Sequence, residues 1–306
     1  MFLYKIEKDN LKEIKEKPFK KEVELHKLCE NNLENIFGLK FVKREFAFKN
    51  FRLDTLAFDE NTKSFVIIEY KNTGNFSVID QGYAYLSLML NNKAEFILEY
   101  NENCNSTLKR TDVDWSQSRV IFVSPVFNNY QKESINFKDL PFELWEVKKF
   151  SNDTVYFNQI KASKKAESIN KISTNSKEVN IVNKEIKLYT EEQHLKNTSE
   201  EIADLYEKLK SYILLLDDNI DLKPKKREIG FMYKKRMMVD ILLQKKSLKM
   251  WLNAKKGELK DNNKITRDVS NTGHWGNGDY EIQISDDEEI EYIFILIKQL
   301  YKSKNK

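Results

Sequence analysis

Cysteine, histidine, proline and glycine are all scarce in this chain, which has two, three, four and eight of them among 306 residues. Cys29 and Cys104 stand far apart with no CxxC spacing, which excludes a disulfide framework and a cysteine zinc cage and fits a reducing cytoplasm. His26, His194 and His274 share no metal-ligand spacing and read as structural or surface residues. No apolar stretch reaches membrane-spanning length, and the first residues lack a secretory pattern. The expectation is a cytoplasmic protein with no membrane partner. A large excess of one charge is missing too. Lys plus Arg total 52 against 48 Asp plus Glu, a net charge of +4. That balance neither demands nor excludes nucleic acid, so local clusters matter more than the sum.

The chain does have enough apolar residues, 40%, for sizeable cores. Residues 1–17 alternate charged and apolar types without committing to an element. Leu25, Leu28, Cys29, Leu33, Ile36 and Phe37 follow helical spacing, and Gly38 is placed to cap the end. Phe41–Phe48, Leu53–Phe58 and Phe65–Tyr70 read as strands, Val78–Leu90 as a helix, and Arg119–Ser124, Phe142–Val147 and Thr154–Ile160 as further strands. Helix, three strands, helix and strand predict an α/β layer fold with a mixed sheet for residues 1–160. Residues 161–197 are rich in Lys, Ser, Asn and Glu and read as a polar linker.

A small α+β domain is expected over 198–306. Thr198 with Glu201 forms a capping-box pattern ahead of an apolar stripe from Ile202 to Leu216. Four strands follow, near Glu228–Tyr233, Met237–Leu243, Leu248–Leu252 and Tyr280–Ile284. Ser285 with Glu288 then signals a last helix.

Chemistry concentrates at the end of one strand. Phe65–Ile68 is a continuous apolar run, as in a strand buried on both faces. Glu69 and Lys71 follow on one side of that strand, by its two-residue period. If the preceding strand pairs with it about Asn61–Thr62, Asp54 lies opposite Glu69. Two carboxylates can share a hard divalent cation, which prefers oxygen ligands, and the Tyr70 carbonyl is a further candidate ligand. Lys71 suits positioning or electrostatic stabilisation better than a free-base role. These are the residue types that metal-assisted phosphodiester hydrolysis needs.

Leu53-Asp54 followed by Ile67-Ile68-Glu69-Tyr70-Lys71 resembles the D…(D/E)xK signature of the PD-(D/E)XK nuclease superfamily, restriction-endonuclease-like in fold. Gln81 and Tyr85 match the QxxxY element of RecB-type relatives. Glu22 with Leu25 is similar to an ExxL element whose acid faces the site. The likeness covers roughly residues 20–160, and it is close to an uncharacterised bacterial group that joins such a domain to a C-terminal module like 198–306. It implies a Mg²⁺-dependent DNA endonuclease of repair or of defence against foreign DNA, with Mn²⁺ as a substitute ion. RNA as substrate and a homodimer stay open. Asp54 and Glu69 would hold metal, Lys71 stabilise, Gln81 assist and Glu22 complete the shell. No proline precedes Asp54.

Helical phase independently aligns Glu22 with Leu25, Cys29 and Ile36, toward the core. Each residue also has a plainer reading. The triad could be an ion-pair cluster or an inactive nuclease-fold site that only binds nucleic acid or a partner. Gln81 could bridge helix to hairpin, Tyr85 suits the core as readily as a nucleic-acid contact, and Glu22 could serve the helix dipole. Arg52 fits a phosphate contact or a solvated strand position. In the second domain the basic runs 223–227 and 234–236 read first as solvated charge. The loop 271–280, with three glycines, offers Trp275 as a base-stacking candidate or as the anchor of a tight turn.

Overall fold

The computed structural model describes residues 2–72, 77–137, 139–163, 166, 176–273 and 276–304. The chain divides into two compact units, residues 1–187 and 188–306.

The first unit begins with an antiparallel hairpin, β1 (Leu3–Glu7) and β2 (Asn10–Ile14). Helices α1 (Glu22–Glu30) and α2 (Leu33–Phe37) follow, so the single predicted helical stretch is interrupted at Asn31-Asn32. Gly38 ends α2 at φ 69°, the left-handed conformation that suits glycine. A six-stranded sheet then forms in simple chain order: β3 (Lys40–Phe48), β4 (Phe51–Asp59), β5 (Ser64–Tyr70), β6 (Arg119–Ser124), β7 (Phe142–Lys149) and β8 (Val155–Ile160). The β3–β4–β5 meander is antiparallel, β5–β6–β7 run parallel, and β8 returns antiparallel. This is the mixed α/β sheet that the order of elements predicted. The β5–β6 crossover carries α3 (Val78–Asn91) and α4 (Lys93–Cys104), and α5 (Asn129–Ser134) joins β6 to β7.

β5 is buried along its whole length because both of its faces are covered. Phe65 and Ile67 join a core that also holds Leu86 and Met89 of α3 and Phe96 of α4. Val66, Ile68 and Tyr70 join a second core with Leu25 and Cys29 of α1. Gly82 lets α3 lie close to the sheet, since a Cβ there would fall 2.5 Å from a ring carbon of Phe142.

The stretch expected to be a polar linker is partly structural. Helix α6 (Lys177–Glu185) packs on α3, and Val182 is fully buried in the core of the first unit. Its apolar residues (Val179, Ile181, Val182, Ile186) are too few to outweigh the surrounding Lys, Asn and Glu in a composition-based reading. The division between units falls at 187/188 rather than within a long spacer.

The second unit opens with α7 (Glu191–Leu195) and α8 (Glu200–Leu214). Its strands are β9 (Ile220–Pro224), β10 (Ile229–Tyr233), β11 (Arg236–Leu243), β12 (Leu248–Leu252), β13 (Arg267–Asp268) and β14 (Tyr280–Ile284), followed by α9 (Ile290–Lys304). They form one antiparallel sheet in the order β13-β14-β12-β11-β10-β9. Residues of α8 and α9, among them Tyr206, Leu209, Ile293 and Ile297, share a core with Phe231, Val239, Met250 and Ile282 of the sheet. Two expected helix starts shift. The cap of α8 is Ser199, whose Oγ accepts from Ile202 N, because the Thr198 hydroxyl donates to the His194 carbonyl of the preceding turn. α9 begins at Ile290 rather than at Ser285, since the Asp286 carboxylate holds the Glu288 amide in a local turn.

Substituting Val182→Asp tests the role of α6. An unpaired carboxylate in that core costs about 3 kcal/mol or more. We expect a clear fall in the thermal midpoint of the first unit, measured by calorimetry. A true linker would leave it unchanged.

Candidate active site

The β4–β5 register pairs Thr55 with Ile68, so one step further along Asp54 faces Glu69, as a hairpin about Asn61–Thr62 requires. Both lie at the carboxyl end of β5. The Asp54 Oδ2 accepts from the Tyr70 amide at 2.9 Å, a bond across the two strands that fixes the carboxylate beside Glu69. Lys71 leaves β5 with its amide on the Val123 carbonyl of β6, which holds the residue at the strand end. Its ammonium reaches back to Glu69 Oε1 at 2.6 Å.

α3 supplies the next layer. Gln81 Nε2 donates to Glu69 Oε1 and to the Tyr85 hydroxyl, both at 2.8 Å. Tyr85 is only 6% exposed. It therefore props Gln81 from within the core and is not the open nucleic-acid contact that the sequence offered.

α1 closes the site from the Tyr70 face. Glu22 Oε2 accepts from the Asn72 amide at 3.1 Å. The Glu22 side chain remains 46% exposed, so the expectation that it turns into the core is not met. As the first residue of α1 it stands beyond the packed turns and meets the backbone just after Lys71.

One residue of the cluster escaped the sequence reading. His26, expected to be structural or surface, is buried, with Nε2 3.7 Å from Glu22 Oε1 and 3.9 Å from Asp54 Oδ2. Its ring packs on Tyr70 at a centroid distance of 4.3 Å, and Nε2 has no hydrogen-bond partner. The i, i+4 spacing from Glu22 was the available signal. Arg52 lies apart, two-thirds exposed, with its guanidinium on Glu45 of β3. Trp275 and His274 lie outside the described residues. Beside them, Gly278 adopts φ 94°, and a Cβ on Gly276 would fall 2.4 Å from the Trp251 ring, so both glycines serve tight packing of that loop.

Electrostatics mark the carboxylates as unusual. The Glu69 side chain is 4% exposed, and its Oε2 is buried without a hydrogen-bond partner. Burial, then the neighbouring charge of Asp54, pushes its pKa above the ordinary value, against the pull of Lys71 and Gln81. Burial likewise raises Asp54, against the Tyr70 amide, the His26 ring and the Lys71 ammonium. Two desolvated carboxyls side by side, one with an orphaned oxygen, fit a hard cation. Among the described residues no group of three or more His, Cys, Asp or Glu is spaced to cage a metal alone. An ion held here would fill the rest of its shell with water, backbone carbonyl or substrate oxygen, as Mg²⁺ commonly does.

An "Uncharacterized protein" of Haemophilus influenzae is 50% identical over 302 residues, 99% of this chain and 100% of that protein. The chain belongs to the same family as that protein. Residues 191–304 match the family described as "Domain of unknown function (DUF5655)", which coincides with most of the second unit. Among solved structures, a repair endonuclease from Pyrococcus abyssi is similar at 19% identity and a TM-score of 0.25, over 43% of this chain and 50% of that one. An EndoMS–dsDNA2 complex is similar at 15% identity and a TM-score of 0.25, over 48% of this chain and 64% of that one. The chain thus spans about half to two thirds of the length of these two structures, and at that TM-score neither enters the reading of the site.

The raised carboxyl of Glu69 has a consequence for stability. A carboxyl whose pKa is higher in the fold than in the open chain holds its proton more tightly when folded. The fold loses that advantage as pH rises from about 4, the ordinary range, through the raised value. In chelator, Glu69→Gln should therefore melt higher than wild type at pH 8, with the gap closing toward pH 4. Added Mg²⁺ should raise the midpoint of wild type and not of the variant, read by thermal denaturation.

Proposed function

We propose that the first unit is a divalent-metal-dependent nuclease of the PD-(D/E)XK type that hydrolyses phosphodiester bonds in DNA. The observation carrying this reading is the convergence of Asp54, Glu69, Lys71 and Gln81 at one strand end, with the Glu69 Oε2 buried and unpartnered. A structural ion pair alone would not require a second desolvated carboxylate beside it, because that carboxylate adds repulsion. The superfamily resemblance of the same residues supports the assignment, and so does the mixed sheet that presents them.

Asp54 and Glu69 would hold Mg²⁺, or Mn²⁺ in its place. When bound, the ion would supply charge neutralisation at the phosphate and a more acidic water. The protein's own groups then have distinct tasks. The Tyr70 amide orients Asp54, and Gln81 orients Glu69, so neither carboxylate must reorganise. The Lys71 ammonium sits where it can offset charge that builds on the phosphate oxygens. His26 and Glu22, both from α1, stand beside Asp54. Arg52, paired with Glu45, is assigned no part in the reaction.

A second reading retains a fold that binds nucleic acid without cutting. The 2.6 Å Lys71–Glu69 pair favours it, because it already neutralises one oxygen of Glu69. Cleavage assays decide between them. Labelled single-stranded, duplex and branched DNA, and RNA, would be incubated with Mg²⁺, with Mn²⁺ and with chelator. We expect metal-dependent cleavage by wild type. Asp54→Asn, Glu69→Gln and Lys71→Ala should each reduce it by about 100-fold or more, the scale for removal of an electrostatic catalytic group, while the fold persists by circular dichroism. Unchanged cleavage in all three would refute the site. Activity should also fall on acidification at a pH above the ordinary carboxylate range, because protons compete with metal for the two raised carboxyls.

A further inference from the structure

Residues 15–21, Lys-Glu-Lys-Pro-Phe-Lys-Lys, form a strap between β2 and α1 that the catalytic cluster does not use. It is anchored firmly. The Lys17 amide donates to the Lys149 carbonyl at 2.8 Å, the Ser151 amide donates to the Lys15 carbonyl at 2.9 Å, and Glu16 bridges Phe150. Phe19 is inserted into the α1 core at 5% exposure.

These anchors locate the strap. β7 runs parallel to β6, and β6 to β5, so Lys149 lies beyond the same sheet end at which Glu69 and Lys71 emerge. The strap then leads directly into Glu22, whose carboxylate takes the Asn72 amide. It spans at most about 25 Å from Lys15 to Glu22.

Its charge is one-sided. Lys15, Lys17, Lys20 and Lys21 are exposed, and none forms an ion pair with the described residues. Of the acids in and just after the strap, Glu16 pairs with Lys148 and Glu24 with Lys149, and Glu22 meets His26 and the Asn72 amide. Lys15, Lys17 and Lys21 therefore face solvent beside the site without an ion-pair partner among the described residues, while Lys20 also interacts with Glu24.

The hairpin before the strap adds a different chemistry. Leu3 pairs with Ile14, so the first residues of the chain stand next to Lys15. Phe2 is 79% exposed and Tyr4 45%. An isolated two-stranded hairpin with such side chains in water gains little by itself. Exposed aromatics beside exposed lysines are the combination that binds unpaired nucleic acid, by base stacking and phosphate neutralisation.

We propose that the strap lysines and the two hairpin aromatics form a docking surface for an unpaired strand of the nucleic-acid substrate, alongside the Glu69–Lys71 end of the sheet. This rests on the nuclease reading and adds a substrate class to it. Lys17, Lys20 and Lys21 hold phosphates, while Phe2 and Tyr4 stack on bases that a duplex keeps covered.

The test uses the full chain carrying Glu69→Gln, so that the probe is not cut. Anisotropy would follow a labelled single-stranded DNA and the matching duplex across a salt series. Combined Lys17→Ala, Lys20→Ala and Lys21→Ala should weaken single-strand binding about tenfold and flatten the log affinity–log salt slope by about 2, the release expected for three phosphate contacts. Phe2→Ala with Tyr4→Ala should weaken single-strand binding about tenfold or more and leave duplex binding nearly unchanged. Unaltered affinity and slope in the lysine variant would overturn the proposal. So would equal losses for single strand and duplex in the aromatic variant. If the aromatic variant instead converts a dimer to a monomer by sedimentation and binds DNA normally, the hairpin covers a second copy of the chain and the proposal fails. Cleavage by an otherwise wild-type chain separates the two levels. Cutting that persists with normal binding in the lysine variant removes only the docking surface, whereas no cutting of any substrate by wild type removes the nuclease reading itself.

Discussion

The N-terminal unit is organised around a carboxylate where a carboxylate is expensive. Glu69 sits next to the end of a strand that is buried along its whole length, and its side chain is almost wholly removed from water. Burial and Asp54 both oppose its charge, while Lys71 and Gln81 relieve it only in part. The surrounding structure can be understood as the means of keeping that group in place. Asp54 is tied to the Tyr70 amide, Gln81 is propped by a buried tyrosine, and α1 brings Glu22 and His26 to the same end.

The sheet makes this convergence possible. An antiparallel meander sets Asp54 against Glu69, because a hairpin register directly matches residues of neighbouring strands. Parallel pairing of β5 with β6 then leaves the carboxyl end of β5 free of a tight hairpin, and α3 follows from there with Gln81. Close approach of α3, allowed by Gly82 against Phe142, keeps Gln81 within bonding distance of Glu69. The second unit also buries two carboxyls, Glu228 and Asp240, around one lysine. Its buried Asp240 is neutralised by Lys225, which also pairs with Glu228, and bonded by Asn277.

Much of this was legible in residue order. The apolar run 65–68 and the stretch 53–58 read as strands, and a hairpin about Asn61–Thr62 was one register open to them; the structure adopts it and so opposes Asp54 to Glu69. Gln81 and Tyr85 share a helix face by their four-residue spacing. Other parts were not legible for definite reasons. The Leu3–Ile14 hairpin lacks a turn signature and buries almost nothing, so its pattern carries no core face to detect. Helix α6 contributes one fully buried valine within a polar composition, and only α3 makes that valine count. Local side-chain bonds at Thr198 and Asp286 moved two helix starts, because a hydroxyl or carboxylate can serve either of two neighbouring turns.

Chemistry within a few residues, such as strand period, helix phase and the triad Asp54, Glu69 and Lys71, is written in the chain itself, since local geometry repeats at fixed intervals. What Tyr85, Glu22, Arg52 and His26 do was decided only by packing. Tyr85 sank into the core beneath Gln81, Glu22 stayed at the rim, Arg52 turned to Glu45, and His26 settled between Glu22 and Asp54. A periodicity says which face a side chain takes, but burial and partners depend on elements that arrive from far along the chain, and those are set by the tertiary fold alone.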